Sequence, residues 1–133
     1  MTYGSWPESE AGALAALEGF MAALNARDAS ALYDLLHVPH VRISGNGVAI
    51  WADQAQLEAT YLRDFYDRAG PDWDHTVLDS TEVLHTSEKK VHILIQFTRC
   101  DKDGAAIGTF RSLWIMVFAD GRWGAQARSS FAP

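Results

Sequence analysis

Cysteine is almost absent from this chain: Cys100 is the only one in 133 residues. That excludes an intramolecular disulfide and every metal motif built on several thiolates. Its neighbour Asp101 is acidic and no base adjoins it, a setting that disfavours a reactive thiolate. Basic residues are also scarce, eleven Lys and Arg against seventeen Asp and Glu, for a net charge of −6. The one compact basic pair is Lys89–Lys90, so nothing provides the electrostatic footprint of a nucleic-acid binder. No stretch approaches the apolar length of a membrane span. The opening "MTYGSWPESE" has neither the basic start nor the apolar run of a secretory leader, and a cytoplasmic location is expected. The five histidines never fall in H-x-H or H-E-x-x-H spacing, and the proline in "HVPH" breaks helical i,i+3 geometry. No glycine-rich loop leads from a strand into a helix, since "SGNG" lies inside a hairpin. Neither a metal nor a cofactor is expected.

What is present reads as one ordinary globular domain over residues 1–133, with 48% apolar and 21% charged residues. Ser5-Trp6-Pro7-Glu8 predicts a helix start with Ser5 as cap, and Leu14, Leu17, Phe20, Met21 and Leu24 form its apolar stripe. Asp28 or Ser30 caps a short second helix, which Pro39 closes. "HVRIS" and "VAIW" flank Gly45-Asn46-Gly47 as a hairpin. Asp53 then starts a third helix bearing Leu57, Tyr61, Leu62, Phe65 and Tyr66, and Gly70-Pro71 stops it. A long strand follows from about Asp74 to Thr86. Three more runs, Val91–Cys100, Thr109–Ala119 and Trp123–Phe131, are separated by "DKDG" and "DG" turns and make an antiparallel meander. The central run "FRSLWIMVF" is apolar on both alternating faces, which predicts helices on one side and a second subunit on the other. The class is α+β, about three helices against a mostly antiparallel sheet.

This order, with the "FMAALNARDASALYDLL" opening, the "HVRISGNGVAIW" hairpin and the "DGRWGAQARSSF" end, resembles the NTF2-like superfamily, which includes SnoaL-like and ketosteroid-isomerase-like groups. The resemblance implies a cone-shaped barrel with a strongly curved sheet. It also implies a pocket for a small apolar, cyclic ligand between sheet and helices, and a homodimer formed through the sheet. It implies a cofactor-free isomerase, cyclase or dehydratase, or a non-catalytic ligand-binding or protein-interaction domain. The general-base aspartate of ketosteroid-isomerase-like proteins has no counterpart in Val41–Ser44, and the acid of SnoaL-like cyclases has none in Trp123–Phe131.

His40, beside Pro39 at the mouth of the first hairpin, is the expected general base, because a neutral imidazole serves near pH 7 with little tuning. His37 is assigned to ligand binding. Arg111 and Arg128 each interrupt an apolar strand and are expected to stabilise developing negative charge. A buried arginine must be paired, so internal acids such as Asp34 or Asp79 are the competing explanation, with an anionic ligand or a partner subunit as others. Arg99 lies beside a turn, within reach of solvent. Trp51, Tyr61, Trp114 and Trp123 are the expected pocket walls, each with a polar handle. His75 and Asp79 are read as solvated.

Overall fold

The computed structural model describes residues 5–133; the first four residues, on which part of the leader reading falls, lie outside it. Helix α1 (Pro7–Ala26) starts on a proline, whose missing N–H would lack a partner there in any residue, and carries Glu8 and Glu10 in its first turn. Its cap position is Trp6 rather than Ser5, and no side chain caps it. Helix α2 (Ala29–Tyr33) is capped by Asp28, which accepts from the Ala31 N–H at 3.2 Å. Pro39 does not close α2. It lies inside β1 (Leu36–Ser44), where pairing with β6 is interrupted between Leu36 and Val41, so no ladder hydrogen bond is lost to the missing donor.

Strand β2 (Gly47–Trp51) completes the hairpin. Helix α3 (Gln54–Ala69) is capped by Asp53, which accepts from the Gln56 N–H at 2.8 Å, and ends at Gly70, whose φ of 90° suits only glycine comfortably. Strands β3 (His75–Thr86), β4 (Lys90–Cys100), β5 (Ala106–Ala119) and β6 (Arg122–Ser130) form the expected meander. The hairpin joins it through a parallel pairing of β1 with β6.

The six strands lie in the order β2-β1-β6-β5-β4-β3. The expected cone-shaped barrel on a strongly curved sheet is therefore corrected: the sheet is open and not strongly curled. A barrel requires its edge strands to hydrogen-bond to one another. Here β2 is five residues long, and β3 lies at the opposite edge with four strands between them. Helix α1 packs over β3–β6 and α3 over β1 and β2, so helices rather than closure cover the inner face.

The core forms between α1 (Ala13, Leu17, Phe20), α3 (Leu57, Tyr61, Phe65) and the inner residues of β4 and β5 (Val91, Ile93, Ile95, Trp114, Met116). Those two strands follow the ordinary alternation of large apolar side chains toward the helices. The β1–β2 hairpin inverts it. His40 and Arg42 point inward and are buried, while Ile43, Val48 and Ile50 are 49%, 62% and 56% exposed on the outer face.

A candidate anion-binding cavity under the helices

The inverted strand supplies one wall of a cavity of about 30 Å³ between the helices and the sheet. Phe20, Met21 and Leu24 of α1 and Phe65 of α3 form its apolar side, with Phe97 and Trp114 below. Phe20 meets the Trp114 ring edge-on at 5.0 Å. Into the same cavity come four arginines from four elements: Arg42 of β1, Arg68 of α3, Arg99 of β4 and Arg128 of β6.

Among the described residues, no Asp or Glu side chain lies within ion-pair distance of any of the four. Asp79, one of the acids expected to pair, instead accepts from the Thr98 hydroxyl at 2.7 Å. The arginines meet backbone oxygens, a hydroxyl and aromatic rings instead. Arg42 Nη2 donates to the Ala132 carbonyl at 2.8 Å and to that of Pro133 at 3.3 Å. Arg99 Nη1 donates to the Pro133 carbonyl at 3.3 Å, and its guanidinium lies 5.5 Å from the ring centres of both Phe65 and Phe110. Arg128 Nη1 donates to the Tyr61 hydroxyl. Among the described residues, Arg68 Nε and Nη2, Arg99 Nε and Trp114 Nε1 are buried with no acceptor.

The electrostatic consequence is uniform. Burial, and then the Arg68 and Arg128 charges, pushes Arg42 down to about 9 and Arg99 down to about 10. Burial and the Arg128 charge lower Arg68 in the same direction. Arg42 and Arg99 remain cations at neutral pH, each destabilised by burial and by the charges beside it.

His40 stands behind this wall and does not line the cavity. Its Nδ1 faces the Ala125 carbonyl at 3.0 Å, which fixes a proton on that nitrogen and leaves Nε2 as an acceptor toward Arg128 Nη1 at 3.5 Å. Burial, reinforced by Arg128, pushes the ring down to about 3. It is a neutral group that orients Arg128. Tyr61, 1% exposed, packs against both His40 and Trp51, at 5.8 and 5.0 Å. Trp51 Nε1 donates to the Thr60 hydroxyl at 2.9 Å.

A family model described as NTF2-like protein (DUF6841) matches residues 9–125. The chain belongs to this NTF2-like family. Solved structures agree with it in fold. A ketosteroid isomerase-like protein from Erwinia carotovora atroseptica SCRI1043 is 21% identical, with a TM-score of 0.66 over 92% of this chain and 94% of that one. A putative calcium/calmodulin dependent protein kinase II association domain from Xanthomonas campestris is 20% identical, with a TM-score of 0.64 over 100% and 95%. A Nostoc punctiforme protein of unknown function with a cystatin-like fold reaches a TM-score of 0.72 at 10% identity, over 93% and 90%. No curated protein matches in sequence.

In this NTF2-like chain the residues predicted from sequence separate into three places. Tyr61, Trp114 and Arg128 line the cavity, with Trp51 and His40 directly behind. His37 lies elsewhere: its Nε2 faces the Val117 and Arg122 carbonyls at 3.0 and 3.2 Å, and its Nδ1 accepts from Arg122 at 2.9 Å, so it ties β1 to the β5–β6 turn. Trp123 packs on α1 at Gly12, where a Cβ would come within 2.6 Å of its ring. Arg111 is exposed on the outer face of β5, one step out of phase with Ser112 and Trp114. Arg42 and Arg68 are the residues that sequence reasoning missed, and Arg99 is buried rather than at solvent. A signal for Arg42 exists: it shares a face with His40, so choosing His40 as inward selects Arg42 as well.

Proposed function

We propose that the chain, as one NTF2-like domain over residues 1–133, binds a small molecule in the cavity between helices and sheet without converting it. The observation that carries this reading is a set of buried hydrogen-bond donors, on Arg68, Arg99 and Trp114, that no protein acceptor satisfies. Buried donors are normally paired, and a ligand would supply the missing acceptors. The lining carries no carboxylate and His40 is withdrawn from it, which favours binding over proton abstraction. A cavity of about 30 Å³ also has no room for a fused ring system, so the apolar cyclic ligand implied by the superfamily resemblance gives way to something smaller.

A thermal-shift panel of small neutral, cationic and anionic compounds tests it. A ligand specific for the folded chain adds about 2.7 kcal/mol at a hundred times its dissociation constant. No shift with any compound would overturn the binding reading.

Acid–base catalysis is the second reading, favoured by the hydrogen bond from Arg128 to Tyr61 at the cavity wall. There Tyr61 would be the proton carrier and Arg128 the charge stabiliser, with His40 positioning Arg128 and Arg111 taking no part. Turnover of a bound ligand, lost in Tyr61→Phe, would establish it.

The proposal includes two further elements. The chain dimerises through the outer face, where Ile43, Val48 and Ile50 are exposed beside half-buried Leu113 and Ile115. A cytoplasmic location is supported by the single free, buried Cys100 and by helices too short or too polar to cross a membrane.

A further inference from the structure

We propose that the ligand of this cavity is a small monocarboxylic acid, its carboxylate held by the converging arginines and its short hydrocarbon part against the aromatic wall. The inference rests on the binding reading above and adds the charge, headgroup and size of the ligand.

Four guanidiniums from β1, α3, β4 and β6 border one half-open space, and no described Asp or Glu side chain pairs with any of them. Cations brought together away from water repel one another strongly, and an uncompensated buried charge is among the most unfavourable features a fold can carry. An anion in the cavity would attract every one of these cations and offset part of their mutual repulsion. The acceptors already present divide the arginine donors into two sets. The Ala132 and Pro133 carbonyls hold Arg42 and one arm of Arg99, and the Tyr61 hydroxyl holds Arg128. What remains unmet is Nε and Nη2 of Arg68 and Nε of Arg99. A planar guanidinium matches a carboxylate through two parallel hydrogen bonds, so one carboxylate on Arg68 and Arg99 uses the unmet donors.

Size and lining select among anions. A single water requires roughly 10–15 Å³ on the scale that gives this cavity about 30 Å³. The depth of the cavity admits a carboxylate, and because the cavity is open on one side the rest of a small acid extends outward. Phe20, Leu24 and Phe65 then offer the hydrocarbon part an apolar surface, which an inorganic ion would leave unused.

Calorimetric titration of the full chain at fixed ionic strength separates the alternatives. The probes are acetate, butyrate and benzoate, the amides acetamide, butyramide and benzamide, and inorganic phosphate and sulfate. At least one acid should bind with one-to-one saturation, and its amide at least tenfold more weakly. Arg68→Gln and Arg99→Gln should each weaken the acid tenfold or more, while Arg111→Gln, on the outer face, leaves it unchanged. Equal binding of acid and amide would overturn the anion assignment and leave the binding reading standing. Phosphate or sulfate binding as tightly as the best acid would overturn the carboxylate. Silence of all three acids at millimolar concentration would overturn the proposal, and only silence of the wider thermal-shift panel as well would remove the binding reading. The acid–amide comparison uses the unaltered chain, so it decides even where an arginine variant fails to fold.

Discussion

Strands β4 and β1 lie in the same sheet and obey opposite rules. In β4 the residues facing the helices are Val91, Ile93, Ile95 and Phe97, all buried. In β1 they are His40 and Arg42, with Ile43 turned out to the surface. From Val91 to Phe97 the inward positions of β4 serve the core, and only its last inward residue, Arg99, brings charge to the cavity. The register positions of β1 place charge inside and hydrocarbon outside, an arrangement that lowers the stability of an isolated chain and that selection for folding alone would not favour. The contrast separates two parts of the sheet: β4 and β5 supply most of the apolar core, while β1 and β6, with Arg99 at the end of β4, bring charge to the cavity.

Breaking the apolar side has the largest expected effect. Ile93→Ala or Ile95→Ala removes a fully buried side chain and should cost about 2–5 kcal/mol in chemical denaturation. The same truncation at Ile43 should not approach that.

Acid comes next. His40 is held down at about 3 in the folded chain, against roughly 6.5 unfolded. Above the upper value both states are neutral and the stabilising contribution is complete. As pH falls through the window the unfolded chain takes up a proton that the folded chain refuses, so stability falls by up to about 1.4 kcal/mol per pH unit. Denaturation at pH 7, 5 and 4 should record this loss, and His40→Asn should flatten the profile. A profile equally steep in the variant would assign the slope to other groups.

The inverted side should respond in the opposite sense. Arg68→Met removes one of four mutually repelling cations whose buried donors have no acceptor. It should raise the unfolding free energy of the unliganded chain by about 1 kcal/mol, while weakening ligand binding. A destabilised variant would show that Arg68 already has a stabilising partner. The smallest effect belongs to the outer face: Ile43→Ser, at a position 49% exposed, should change monomer stability by less than about 0.5 kcal/mol. Light scattering should nevertheless find the variant with a lower mass than the unaltered chain, if the outer face joins two copies.

Most of the fold was legible because it follows period. The α1 stripe, the Asp53 cap, the Gly70 stop and the three meander strands all announce themselves by spacing and turn residues. The closed, curved sheet was an inference from the superfamily, and it failed because closure depends on whether β2 and β3 reach each other, which no local pattern encodes. The site was half legible. Tyr61 and Trp114, expected as walls with a polar handle, and Arg128, a charge that interrupts an apolar strand, do line the cavity. Arg42 was lost because alternation does not say which face is inner, and the ordinary rule turns "HVRIS" the wrong way round. Arg68 was hidden at the end of an amphipathic helix, where a cation is common for reasons of the helix dipole. Arg111 and Arg128 look alike in sequence, and only strand register puts one outside and the other in the cavity.

Between Leu36 and Val41, β1 advances five residues while its partner β6 advances two, from Ala125 to Ala127. That slack sets which side chains of the hairpin face inward. Because strand side chains alternate, removing one residue there would turn every following position over. Val41 and Ile43 would then face the helices, and His40 and Arg42 the solvent. A single-codon deletion could exchange a basic interior for a greasy one, and an apolar outer face for a charged one, with no change of amino acid anywhere else.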